Sequence, residues 1–403
     1  MRLTRLAFAI SLMAAAGAAH ATNGYFSNAY GMKAAGMGGA ATAMTDDAMG
    51  GANNPASMAF VGDRFDIGAT IFSPIRSASR SGGGINGSSD SNSNYFVIPE
   101  LGYNHMMQPD LALGVTVYGN GGMNTNYPAL SGGTTNLLGG TGKLGVNLMQ
   151  LIVAPTLSYK LNANNSIGIA PLLGYQRFEA YGLQGFGINP NKGWDDSTGI
   201  GVRIGYLGKI TPDFSIGVSY ATKMHFGKFN KYSGLFADAG LFDIPENYSA
   251  GVAWKATQDL TLAADYERIN YGGVSSIANP SSPMIAPLGA ANGPGFGWKD
   301  INVWKLGGEY RYDKQWTFRA GYNHSDNPIQ ARDVAFNILA PGVIEDHASL
   351  GFTYTLPSGG ELTMAYTHAF QNSVTAPDQA GFGGIDTIKM YQNSIGIAYG
   401  WKM

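Results

Sequence analysis

Cysteine is absent from this 403-residue chain, which excludes a disulfide framework, a thiolate metal site and a cysteine nucleophile. Long apolar runs are missing too: past residue 21 nothing approaches the ~18 consecutive apolar residues of a membrane-spanning helix. Charge is sparse, at 13% of residues with a formal net of −2. No basic footprint emerges, so nucleic acid is not an expected partner. Catalytic signatures are lacking as well. There is no G-x-S-x-G elbow and no H-E-x-x-H pair, and His105, His225, His324, His347 and His368 stand singly. Gly36-Met37-Gly38-Gly39-Ala40-Ala41 has the spacing of a dinucleotide fingerprint, but no strand leads into it and no βαβ unit surrounds it. The expectation is a protein that is not an enzyme and holds no cofactor or metal.

What is present begins with an export signal. Arg2 and Arg5 precede the apolar run Leu6 to Ala16, and Ala19-His20-Ala21 completes a three-part secretory leader. Residues 1–21 therefore read as a signal peptide, with the mature chain starting at Thr22. Losing two arginines takes the formal charge from −2 to −4 (23 basic against 27 acidic residues). The 58 Gly and 22 Tyr, beside so little charge, are unusual for a soluble chain of this length. They suit an outer-membrane barrel, whose strands set apolar side chains outward and polar or small ones inward.

From Phe65 onward, fourteen segments alternate with period two. They run Phe65 to Phe72, Tyr95 to Met106, Leu111 to Tyr118, Leu148 to Lys160, Ser166 to Tyr181, Gly199 to Ile210, Phe214 to Phe226, Tyr248 to Thr257, Leu260 to Tyr271, Ile301 to Tyr312, Trp316 to His324, His347 to Leu356, Glu361 to Phe370 and Met390 to Trp401. In Phe214 to Phe226, for example, Phe214, Ile216, Val218, Tyr220, Met224 and Phe226 share the face predicted to meet lipid. Six connections are tight and rich in turn formers, such as Gln108-Pro109-Asp110 and Thr211-Pro212-Asp213, and seven are long. Short turns on one side and long loops on the other are how such barrels are built. The predicted fold is all-β: a 14-stranded antiparallel transmembrane β-barrel over residues 64–403, with an N-terminal hatch, or plug, at residues 22–63. A soluble sandwich or propeller is the competing architecture. It leaves unexplained the aromatics clustered near strand ends, Trp304, Tyr310 and Tyr312 or Trp316, Phe318 and Tyr322.

Residues 31–60 are dominated by Gly, Ala and Met, which lets backbone lie close to backbone and suits the inside of a container. Here Asp46-Asp47-Ala48 and Asn54-Pro55-Ala56, placed between the leader and the first strand, resemble the N-terminal hatch of the FadL family of outer-membrane transporters for fatty acids and other hydrophobic compounds. The resemblance implies a gap in the wall beside Asn54, Pro55 and Ala56, made by a kink in the third strand and used for sideways release of ligand. Gly119, Asn120, Gly121 and Gly122 offer the backbone freedom for that kink.

Two loops are unusually apolar. Gly182 to Trp194 carries Leu183, Phe186 and Ile188; Lys228 to Asn247 carries Phe229, Tyr232, Leu235, Phe236, Leu241 and Phe242. Burying a Leu or Phe is worth roughly 1.5–3 kcal/mol, so these side chains should cover one another or a ligand. The resemblance implies the latter, since the third and fourth external loops of the family form its first capture site. Alternation places Glu100, Lys160, Arg203, Lys223, Lys255, Asp265, Glu267, Lys305, Glu309, Arg311 and Arg319 inside. Such charges either pair across strands, as Asp265, Glu267, Lys305 and Arg319 are spaced to do, or leave a cation for a ligand carboxylate. Lys223, Lys255 and Lys305 are the candidates for that second role.

The expectation is passive uptake of fatty acids or aromatic hydrocarbons: capture in the loops, lateral release through the wall. The protein is expected to be a monomer amid outer-membrane lipid and lipopolysaccharide. An unselective porin and a structural or adhesive surface protein are the alternatives. A lipid hydrolase with His105 or His368 as base is the enzymatic one.

Overall fold

The computed structural model describes residues 23–188 and 192–403, so the leader at 1–21 and Thr22 lie outside the described residues. Fourteen long strands form one closed antiparallel sheet. They are β1 (Arg64–Ser81), β2 (Phe96–Gln108), β3 (Leu111–Asn124), β4 (Gly145–Lys160), β5 (Asn165–Tyr181), β6 (Asp195–Thr211), β7 (Phe214–Ala221), β8 (Asn247–Lys255), β9 (Leu260–Ile269), β10 (Ile301–Arg311), β11 (Trp316–Ser325), β12 (Asp346–Thr355), β13 (Glu361–Pro377) and β14 (Ile385–Lys402). Each pairs with its neighbours in sequence, and β14 returns to β1 in an unbroken register from Arg64 opposite Lys402 to Ser81 opposite Ile385. Closure leaves no sheet edge, which is what allows strands to cross a bilayer at all. The short strands Gly87–Asp90 and His225–Phe226 pair with β1 and β6.

Alternation sorts the side chains as the sequence predicts. Ile67, Ile71, Val218, Val252, Leu306, Leu350 and Ile395 are exposed on the outside, with Trp254, Trp304, Tyr310, Tyr312 and Phe318 among them. In water this much apolar exposure would be costly; facing acyl chains it is not. Several boundaries differ from the sequence reading. Strand β7 stops at Ala221, and Met224 and Phe226 are 1% and 6% exposed rather than lipid-facing. Thr222 hydrogen-bonds back to Val202 and Met224 bridges Ile244, so the chain has left the β7–β8 ladder and folds over the barrel mouth. Strands β1, β13 and β14 are 17 or 18 residues long and extend well past Phe72 and Phe370.

Residues 23–62 run through short helical turns, Met32–Gly36, Gly50–Asn53, Pro55–Ser57 and Met58–Val61. Such turns bury few of their own backbone donors, and wall side chains satisfy the rest. Asp265 Oδ2 accepts from the N–H groups of Ala41 and Thr42 and from the Thr42 hydroxyl at 2.8–2.9 Å. Asp66 accepts from Ala48 N–H at 2.9 Å, Glu100 from Met32 N–H at 3.2 Å, and the Ser349 hydroxyl from Gly38 N–H at 2.9 Å. Lys33 reaches out to Glu361 at 2.7 Å, where Arg64 also binds. Glycines in the wall permit this approach: a Cβ on Gly321 would stand 2.1 Å from the Gly38 nitrogen, and one on Gly217 the same distance from the Thr42 carbonyl oxygen. The segment is thus held by contacts from β1, β2, β9, β12 and β13.

Candidate functional site

The two apolar loops meet over the lumen. Phe178, near the top of β5, packs against Phe229, Tyr232 and Phe236 with ring centroids 5.8, 4.7 and 4.7 Å apart, and Phe236 continues to Phe242 at 4.9 Å. Leu183, Phe229, Leu235, Phe236 and Phe242 are buried in this cluster, with Phe186 and Ile188 packed against it and Leu241 half-buried. Phe186 turns away from the other loop, toward Phe336 and Phe382 at 5.6 and 5.7 Å. In this state the loops cover one another.

The cluster does not stop there. Phe242 lies 6.1 Å from Tyr25, which also packs on Phe26, Tyr271 and Trp298. Tyr25 and Phe26 rest against the bulge in β3. The β3–β4 register slips between Gly119 and Gly121, as the glycines predict, and Phe26 bridges Gly121. Gly122 N–H donates to the Tyr25 carbonyl at 3.2 Å, and Ser27 N–H to the Asn120 carbonyl at 3.0 Å. A Cβ on Gly121 would fall 1.8 Å from the Tyr25 oxygen, so only glycine admits this crossing.

Asn54-Pro55-Ala56 does not lie beside that bulge, contrary to the sequence expectation. It is pressed on β4, β5 and β6. Asn54 Nδ2 donates to the carbonyls of Thr42 and Tyr206 at 2.8 and 3.0 Å, its Oδ1 accepts from Ala56 N–H, and the Ala56 carbonyl accepts from the Ser158 and Ser166 hydroxyls. Pro55 fixes the helical turn that Asn54 caps, so this corner is a rigid brace. The residues that meet the bulge, Tyr25 to Ser27, carry no periodicity by which sequence could have placed them.

Four of the predicted interior charges pair across strands. Lys305 meets Glu267 at 2.7 Å and Arg319 meets Glu309 at 2.6 Å, while Asp265 is taken by the N-terminal segment. Lys305 is therefore a paired cation rather than a free one. Lys223 lies beyond β7 with its Nζ donating to the Gly273 carbonyl at 3.2 Å, and Lys255 is exposed at the short-turn end of β8. The three do not converge. The extension of β1 brings two unforeseen arginines into the upper lumen, Arg76 and Arg80; the inward alternation Phe72, Pro74, Arg76, Ala78, Arg80 carries them, but Pro74 reads as the end of a strand. Among the described residues no group of His, Asp or Glu is placed to hold a metal ion.

The family model described as "Outer membrane protein transport protein (OMPP1/FadL/TodX)" matches residues 7–395. Among solved structures, the Pseudomonas putida toluene transporter TodX is 17% identical, covering 93% of this chain and 99% of its own with a TM-score of 0.69. A Pseudomonas aeruginosa FadL homologue is 16% identical over 94% and 99% with a TM-score of 0.72, and the Ralstonia pickettii toluene transporter TbuX 18% identical over 93% and 99% with 0.64. No curated protein sequence matches the chain.

Proposed function

Because the chain belongs to the OMPP1/FadL/TodX family of outer-membrane transport proteins, we propose that it is a passive channel by which fatty acids or aromatic hydrocarbons cross the bacterial outer membrane. One observation carries this reading. A continuous apolar cluster runs from the loop residues Phe229, Phe236 and Phe242 to Tyr25 and Phe26 at the β3 bulge. A greasy solute entering it exchanges water for apolar contacts at every stage, which a water-filled pore does not provide. Capture opens the seam between the loops at Leu183, Ile188, Phe229, Leu235, Phe236, Leu241 and Phe242, with Phe186 outside it against Phe336 and Phe382. Passage then displaces Tyr25 and Phe26, and release is sideways through the wall at Gly119 to Gly122. Segment 22–63 acts as the hatch, with Asn54, Pro55 and Ala56 as its fixed corner. Lys223, beside the Gly273 carbonyl, is a cation just before the second capture loop. The working unit is a monomer amid outer-membrane lipid and lipopolysaccharide.

A deletion strain tested across a panel of hydrophobic carbon sources decides it. Slower growth on one class of hydrophobic compound, restored by the gene, supports the channel. Equal growth on all of them supports a structural or adhesive role instead.

A further inference from the structure

The lipid-facing wall is not evenly covered. On β10 and β11 the outward-facing Gly308 and Ala320 stand opposite one another in the ladder, with the larger Leu262, Leu306, Tyr322 and Leu350 around them. Two grooves result, of about 840 and 660 Å³, and they abut at this pair. Almost all of their lining is apolar, and both volumes fall within the ~300–1,000 Å³ of small-molecule sites. Gly308 is not demanded by the fold. On the inward side of the same strands, Gly307 and Gly321 are needed to admit the backbone of Met37 and Gly38. A Cβ on Gly308 would meet only Leu262, at 3.6 Å, an ordinary contact, and its φ is not in the left-handed region. Glycine weakens a strand interior, so the hollow it leaves is room that nothing within the chain uses.

The grooves lie in the half of the wall nearest the short turns, which is the periplasmic side. Between them they follow β10 from Tyr310 to Leu306, about 13 Å of strand, and that fits within the ~15 Å of a single leaflet. Phe214 and Trp254 stand at the lower end of one groove, Tyr310 and Phe318 at that of the other, as aromatic side chains do at a membrane interface. Just below, Lys255 follows Trp254 and Arg311 follows Tyr310. Both are exposed, and among the described residues neither side chain meets a carboxylate. Carboxylates stand one strand away: Lys255 N–H donates to the Asp213 carbonyl and Arg311 N–H to the Asp259 carbonyl, each at 2.8 Å, and Asp213 and Asp259 are exposed as well. The rim below the grooves thus alternates in sign.

We propose that this face holds a zwitterionic phospholipid of the periplasmic leaflet, its acyl tails in the two grooves, its phosphate on Lys255 or Arg311 and its primary amine on Asp213 or Asp259. The tails gain contacts with walls on several sides that a flat surface does not offer. The ammonium and guanidinium donate to phosphate oxygens, and the carboxylates accept from the lipid amine. A rim of one sign would suit an anionic lipid instead; the alternation suits a headgroup that carries both charges. A lipid of the outer leaflet would set its headgroup at the far end, by the long loops. A second copy of the chain would leave the charged rim unaccounted for. The inference stands apart from the uptake reading, since it concerns the outside of the wall and not the lumen.

The test is native mass spectrometry of the full-length protein in non-ionic detergent, titrated with palmitoyl-oleoyl phosphatidylethanolamine and with the phosphatidylglycerol of the same tails, which keeps the phosphate but lacks the amine. The wild type is expected to hold phosphatidylethanolamine about 10-fold more tightly than phosphatidylglycerol. Gly308→Leu, which fills the hollow, is expected to weaken both about 10-fold while the barrel keeps the heat-dependent gel mobility of a folded one. Asp213→Asn together with Asp259→Asn should erase the headgroup preference. Equal retention of the two lipids by the wild type, or retention of neither, overturns the proposal, and that comparison needs no variant to fold. Undiminished retention in Gly308→Leu also overturns it. So does a wild-type dimer that Gly308→Leu splits, which would give the face to a second copy.

Discussion

Asp265 holds the N-terminal segment through a single oxygen that accepts three hydrogen bonds, from Ala41, Thr42 and the Thr42 hydroxyl. A buried donor left without an acceptor costs about 1–3 kcal/mol. Asp265→Ala should therefore loosen the segment and raise ion conductance in planar bilayers, and Asp265→Asn, which keeps an acceptor oxygen, should do so less. Unchanged conductance in a folded Asp265→Ala protein would mean that other contacts hold the segment. On the outer face, Val218 is 48% exposed, and Val218→Arg near mid-strand should cost about 2–4 kcal/mol of stability in lipid. Urea unfolding in vesicles measures this; a neutral Val218→Arg would contradict the assigned face. Val218 could be placed from alternation alone, whereas its inward neighbours were only half legible. At inward-facing Gly251, across the ladder from Gly217, a Cβ would lie 2.0 Å from an Asp265 oxygen, a clash set by tertiary contact and invisible to local pattern.

Strands announce themselves by period two and turn residues, so all fourteen were found in sequence and only their ends moved. Ends moved where local chemistry misleads: Pro74 interrupts a strand that continues, and the apolar alternation at Met224 and Phe226 continues past a strand that has stopped. The path of residues 23–62 was not legible, since it follows acceptors offered by distant strands. That path makes a prediction about the β3 bulge. A cysteine pair at Ser27 and Asn120, whose backbones share a 3.0 Å hydrogen bond, should form a disulfide that stops uptake until reductant is added. Normal uptake by verified crosslinked protein would remove the gating role from this element. For the loops, Phe236 and Phe242 are buried against one another and against Phe178 and Tyr25. Changing both to Ser should open the seam, with loss of about 3–5 kcal/mol of local packing per ring, and weaken binding of hydrophobic ligand while the barrel stays folded. Undiminished affinity would show that their packing serves the loops alone.

The molecule as a whole is a closed barrel whose lower interior is filled by its own N-terminal segment and whose upper interior carries a continuous apolar cluster. These two features set opposite expectations for two classes of solute. Ions meet paired charges and a braced segment; a hydrophobic solute meets side chains that exchange contacts with it and a bulged strand through which to leave. Flux of a labelled hydrophobic compound into proteoliposomes, with ion conductance recorded on the same preparation, separates them. The expected result is hydrophobic flux well above protein-free vesicles with little ion conductance. High ion conductance, or hydrophobic flux no greater than that of bare lipid, would contradict it.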